Sequence, residues 1–226
     1  MIKKFIRQYQ DIFYFKTIGK FLSDCDSVLD VGCGADSPLG RVKKTFYSEG
    51  VDLFEQSIKK SKEKNIHDKY KLSDIRKIDK IYKNNSFDAV IALDVVEHLE
   101  KKESIELIKK MENIAKKRVI LLTPNGFYHQ DAYDSNPYQV HKSEWKVDDL
   151  EKLEYKVYGL RGLKYLRGEY ATIKYKPWFF WGVIAFFLEI PLYFSPSLSY
   201  HLFAVKEPKF LKVKNNQHNK NEITEI

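Results

Sequence analysis

VLDVGCGADSPL, residues 28–39, sets a strand-like apolar run directly before Gly32 and Gly34, and the fold turns on how that junction is read. Glycine has no Cβ to keep a ligand away from the backbone and tolerates positive φ, so a buried strand ending in such a turn is a ligand-binding strand end. Asp30, in the last turn of that strand, stands where it meets a cationic or hydroxylated ligand, and a helix start is expected just beyond. A glycine pair alone also serves an ordinary tight turn, so the decision rests on the flanking chain.

Outward from that turn, apolar runs alternate with amphipathic segments, as a parallel sheet with crossover helices requires. Residues 27–31, 70–72, 87–93 and 119–122 read as strands, with 50–53 as the end of another between the first two of these. Between the last two, residues 104–115 place Ile105, Leu107, Ile108, Met111, Ile114 and Ala115 at helical spacing. Ser143 is placed to cap a helix running to about Lys152, and residues 155–158 and 201–205 read as closing strands. The class is α/β.

Acidic residues recur at the carboxyl ends of these strands, where ligands bind in such sheets. Asp52 ends the second strand, where a carboxylate accepts hydrogen bonds from both hydroxyls of a ribose. Asp74, between Ser73 and Ile75, closes the third and suits an adenine amino group; a solvated surface acid is the plainer reading of it. FDAVIALDVVEHL, residues 87–99, carries the fourth strand into Asp94, Glu97 and His98.

Together these residues resemble the class I S-adenosylmethionine-dependent methyltransferases, in the branch labelled type 11 or 12, over about residues 25–160. The resemblance implies a Rossmann-like, mainly parallel sheet of seven strands in the order 3-2-1-4-5-7-6, with helices on both faces. The methyltransferase domain then spans 27–206, after an N-terminal helical cap at 1–26 and before a polar tail at 207–226. By the same resemblance, Asp30, Gly32 and Gly34 cradle the amino-acid part of S-adenosylmethionine, Asp52 with Leu53 holds the ribose, Asp74 with Ile75 the adenine, and Asp94 lines the methyl-transfer face. One departure is Asp36, near which the family commonly has a third glycine. A nicotinamide-binding enzyme is the rival reading, but it requires G-x-G-x-x-G, which GCGADSP lacks.

The loop TPNGFYHQDAYDSNPYQVHKSEW, residues 123–145, follows the fifth strand at the same edge and is the expected seat of the acceptor. A hydroxyl acceptor benefits from a general base, and imidazole titrates near neutral pH. His141 is the first choice, with His98 and His129 behind it, and Tyr138 is placed to orient the acceptor. NPY at 136–138 stands in the wrong strand connection for the base-flipping motif of nucleic-acid methyltransferases, so nucleic acid is disfavoured as a partner. The histidines and acids fall in no recognised ligand spacing, and no metal is expected.

Residues 160–200 form a hydrophobic insertion before the last strand. Within it KPWFFWGVIAFFLEIPLYFSP, residues 176–196, carries Glu189 and is interrupted by Pro191, which makes a poor membrane-spanning helix. Arg161, Lys164, Arg167, Lys174 and Lys176 precede it, the flank that a segment lying on anionic headgroups prefers. A lid over the pocket or a dimer contact is the alternative. The balance of 39 basic to 31 acidic residues permits an anionic surface as partner, and Cys25 and Cys33 form no disulfide framework. The expectation is a cytoplasmic enzyme, peripheral on the inner face of the membrane, acting on a small or lipid-linked acceptor of polysaccharide, glycolipid or quinone type. The remaining alternative is an S-adenosylmethionine-binding partner protein without turnover. Ile2, Phe5, Ile6, Tyr9, Ile12 and Phe13 fall roughly on one helical face near the start, suited to packing on the sheet.

Overall fold

A parallel strand covered on both faces must be mostly apolar, and two such runs, each with one buried aspartate, meet that demand. β1 (Ser27–Val31) and β4 (Phe87–Leu93) lie side by side at the centre of one sheet, with Leu29, Val90 and Ile91 closed to solvent. The computed structural model describes residues 2–43, 45–132, 136–168 and 173–208. The sheet has seven strands in the order 3-2-1-4-5-7-6. β2 (Tyr47–Asp52) and β3 (Lys69–Leu72) extend it in parallel on one side, and β5 (Ala115–Pro124) on the other. β7 (Ser199–Lys206) then pairs antiparallel with β5, and β6 (Lys156–Leu163) antiparallel with β7, so the expected topology is the observed one.

Two apolar clusters cover the two faces. On one, α3 (Lys101–Ile114) sends Leu107, Ile108, Met111 and Ile114 against Val90, Ala92, Val119 and Leu121, joined by Trp145 and by Leu150 of α4 (Val147–Lys152). On the other, α1 (Ile2–Leu22) buries Tyr14, Ile18 and Leu22, spaced four apart, beneath Val28, Ile91, Leu122 and Phe203. Of the N-terminal stripe, Ile12 points outward and Phe13 packs; the side chains of Ile2, Phe5, Ile6 and Tyr9 lie outside the described ones. All but the first two residues of the 207–226 tail lie outside the described residues as well.

Two local expectations are corrected. The turn after β1 leads into a short 3-10 turn, Pro38–Arg41, followed by extended chain, because Gly40 weakens helix continuation just where Pro38 could have started one. The first α-helix between the early strands is α2 (Glu55–Glu63), after β2. Ser143 does not cap α4: its hydroxyl donates to Val96 O, and the helix starts later, with Lys146 at its N-cap and the Asp149 carboxylate accepting from the Lys146 amide.

The insertion folds as α5 (Trp178–Tyr193), which runs through Pro191 because that residue sits in the last turn, where a lost amide costs one bond near a frayed end. Gly182, Ala185, Glu189 and Leu192 face inward against β6 and α1, while Phe180, Val183, Phe187, Ile190 and Phe194 form an exposed face. No helix among the described residues is long and apolar enough to cross a membrane.

Candidate active site

The glycine turn is held by the strand beside it. The amides of Gly32 and Cys33 donate to Val51 O at 2.8 and 3.2 Å, and the Asp52 carboxylate accepts from Gly34 N at 2.9 Å and from Phe54 N at 2.8 Å. Asp52 therefore ties the ends of β1 and β2 together. Burial pushes its carboxyl above the ordinary range, against the pull of those amides. Gly32 (φ 73°) and Gly34 (φ 58°) are both left-handed. A Cβ on Gly32 would stand 2.7 Å from Val95 Cγ2, whereas one on Gly34 would meet nothing within 4 Å. The space before Gly34 is open cavity, so backbone is presented directly to whatever fills it.

Three cavities meet at this edge, and Asp94 lines all of them. The first, about 560 Å³, runs past Gly32, Cys33 and Gly34 beneath Tyr14 and Phe15 of α1. The second, about 220 Å³, is lined by Asp52, Leu53, Asp74, Ile75 and Tyr138. The third, about 330 Å³, is lined by Glu97, His98, Tyr128, His141, Tyr200 and His201. Gln139 reaches each of the three, so they form one branched space.

The site residues expected from sequence fall into distinct places. Asp30 is buried behind the turn, accepts from Ser37 Oγ at 2.5 Å and lies 3.3 Å from His67 Nε2; it lines none of these cavities and braces the loop instead. Asp74 lines the second cavity, gripped by Arg76 through both carboxylate oxygens at 2.9–3.1 Å, which holds its carboxyl below the usual range. Tyr138 is half exposed on that same cavity, away from His141. His98 and His141 stand together, ring centroids 4.9 Å apart, on the third. Their Nδ1 atoms face Val140 O at 3.3 Å and Tyr128 O at 2.6 Å, respectively. Burial lowers both, His98 to about 4, so both rings are neutral at physiological pH. His129 is exposed, Nε2 3.3 Å from Asp131.

Asp94 has φ 56°, an uncommon conformation for a side-chain-bearing residue, fixed by its amide donating to Leu122 O at 2.9 Å. Enclosure raises its carboxyl, but His201, Nε2 3.2 Å from Oδ1, and Arg161 outweigh that and hold it below the ordinary value. The buried Glu97 is pushed well up, by burial and by Asp94, while accepting from Thr123 Oγ1 at 3.0 Å. Sequence reasoning assigned no role to Tyr14, His201 or Gln139 and placed Arg161 in a basic flank. Arg161 instead sits in an irregular turn of β6 (φ 65°), its guanidinium 4.4 Å from the Tyr14 ring, its amide donating to Glu189 Oε1 of α5 at 3.0 Å. Arg167 is buried too, which leaves Lys164, Lys174 and Lys176 as the basic border of the insertion. Folding also brings donor atoms of Glu97, His98 and His141 within 4.8 Å of one another, a grouping that follows no recognised sequence spacing.

Residues 29–123, which carry the glycine turn, Asp52, Asp74 and Asp94, match the family model of the methyltransferase domain. Over that stretch the chain is similar to the methyltransferase domain, and the fold around it is the one such domains have. The open space at Gly34, the carboxylate of Asp52 beside it and the branched cavity have room for a molecule such as S-adenosylmethionine. Among solved structures, the chain resembles an S-adenosylmethionine-dependent methyltransferase from Archaeoglobus fulgidus, at 20% identity over 85% of this chain and 94% of that one, TM-score 0.55. It also resembles the PH0226 protein of Pyrococcus horikoshii, at 17% identity over 85% and 86% of the two chains, TM-score 0.55. No curated protein sequence matches.

Proposed function

We propose that this protein is an S-adenosylmethionine-dependent methyltransferase acting on a hydroxyl of a small or lipid-linked acceptor, with α5 lying on an anionic lipid surface. The observation that carries the acceptor side is the third cavity, which opens from Asp94 and is walled by His98, His141, Tyr128, Tyr200 and His201. S-adenosylmethionine supplies a sulfonium methyl, transferred by in-line displacement, for which holding donor and acceptor in line is the main requirement. Backbone at Gly32 and Gly34 with the carboxylates of Asp52 and Asp74 would hold the donor in the first two cavities. His201 and Arg161 keep Asp94 ionised at the junction, and a neutral imidazole at His141 is competent to take the hydroxyl proton on Nε2.

The surface reading rests on α5. At about 1.5 Å per residue its 16 residues span about 24 Å, short of the roughly 30 Å of a bilayer core, and its exposed apolar face is bordered by Lys174 and Lys176. No described α5 side chain lines any of the three cavities, which argues against a lid. The test is transfer of radiolabelled methyl from S-adenosylmethionine into a lipid extract, paired with vesicle flotation. Label in the organic phase, lost in His141→Ala, with flotation on anionic vesicles abolished by Phe187→Asp plus Phe194→Asp, is the expected result. Label confined to water-soluble products, with no flotation, would discard the lipid-linked acceptor.

A further inference from the structure

We infer that Glu97, His98 and His141 form a binding site for one first-row divalent metal ion, at the wall of the acceptor cavity. Glu97 and His98 are consecutive residues of the 3-10 turn after β4, and His141 comes from the loop after β5. Their juxtaposition is built in: the amides of Lys142 and Ser143 both donate to Glu97 O, at 2.8 and 3.1 Å, clamping the second loop onto the first.

The two imidazoles are oriented as ligands are, whereas Glu97, whose carboxyl burial and Asp94 push well up, would give up its proton on binding an ion. A carbonyl oxygen only accepts, so the contacts of His98 Nδ1 with Val140 O and His141 Nδ1 with Tyr128 O place the ring hydrogen on Nδ1 in each. Nε2 is left as the lone-pair atom, and a second-atom bond of this kind is what orients metal-binding imidazoles. Glu97 uses Oε2 for Thr123 and keeps Oε1 for an ion. Donor atoms within 4.8 Å of one another would be drawn in modestly by an ion at about 2.0–2.2 Å from each. Two imidazoles and one carboxylate suit zinc, cobalt, manganese or iron and leave coordination positions open. Those positions face the cavity that Asp94, Tyr128 and Tyr200 also line; with the ion bound, His141 Nε2 is a ligand and no longer the base, and the ion would acidify an acceptor hydroxyl at an open position instead, which rests on the methyl-transfer reading above.

The experiment is titration of the chelator-treated full-length protein with Co²⁺ alone, followed by visible absorption and calorimetry, beside a separate titration with S-adenosylmethionine. One Co²⁺ per chain with ligand-field bands is expected, weakened at least about tenfold in both His141→Ala and Glu97→Gln and unchanged in His129→Ala. Binding of S-adenosylmethionine to His141→Ala within about twofold of the parent shows that the variant is folded. Absence of saturable Co²⁺ binding, or binding indifferent to both substitutions, overturns the site. Co²⁺ binding without S-adenosylmethionine binding would keep the metal site and sink the methyl-transfer reading; the reverse would do the opposite.

Discussion

Gly32 and Gly34 share a backbone conformation but not an environment, and the difference separates fold from ligand. An alanine at either carries roughly 1–2 kcal/mol of left-handed strain. At Gly32 it also collides with Val95, so Gly32→Ala should lower both the melting temperature and S-adenosylmethionine affinity. At Gly34 the new methyl enters open cavity, and the larger effect should be on affinity, at least about tenfold by calorimetry, with a smaller fall in melting temperature. His98 gives a pH prediction. Its imidazole sits at about 4 in the fold and near 6.5 in the unfolded chain, so the unfolded state binds more protons between those values. Its contribution to stability is complete above about pH 6.5 and is lost as pH falls toward about 4. His98→Asn should flatten that part of the profile, read as the difference in denaturant midpoint between parent and variant. Asp52, Asp74 and Asp94 were legible as acids at the cavity edge of the sheet because strand ends and their acids are contiguous in sequence. Asp30 was misread because nothing local reveals that Ser37 and His67 occupy it.

At the scale of elements, β1 and β4 were readable to the residue because burial leaves the runs apolar apart from Ser27 and one aspartate in each, Asp30 and Asp88. Of β2 only the end was legible, and its start at Tyr47 was not: Ser48 and Glu49 are buried polar residues, satisfied by Asp68 and Tyr82, and such partners are invisible in sequence. The same blindness hid Arg161, His201 and the grouping of Glu97, His98 and His141, which reach the site through a β6 irregularity, through β7 and through loops far apart in the chain. Glu189 is the clearest case. It looked like a blemish in an apolar segment, yet it is the inward acceptor for the Arg161 amide. Deleting residues 176–196 would therefore damage the site rather than merely detach an anchor. Glu189→Ala should cost about 1–3 kcal/mol by leaving a formerly satisfied buried amide without this acceptor, seen as a lowered melting temperature.

For the whole molecule, ligand binding and stability are linked, since the donor binds only the assembled strand ends. At a hundredfold excess over its dissociation constant, S-adenosylmethionine should add about 2.7 kcal/mol. For a chain of this size that raises the melting temperature by roughly 5–10 °C, and Asp52→Ala should erase most of the rise. The bond between Glu189 and Arg161 gives α5 a second meaning at this scale, because one helix carries both the exposed aromatic face and a strut into the active site. Turnover in mixed micelles should then follow surface-dilution kinetics: at fixed bulk substrate, the rate falls as neutral detergent lowers the mole fraction of anionic lipid, and Glu189→Ala weakens that dependence.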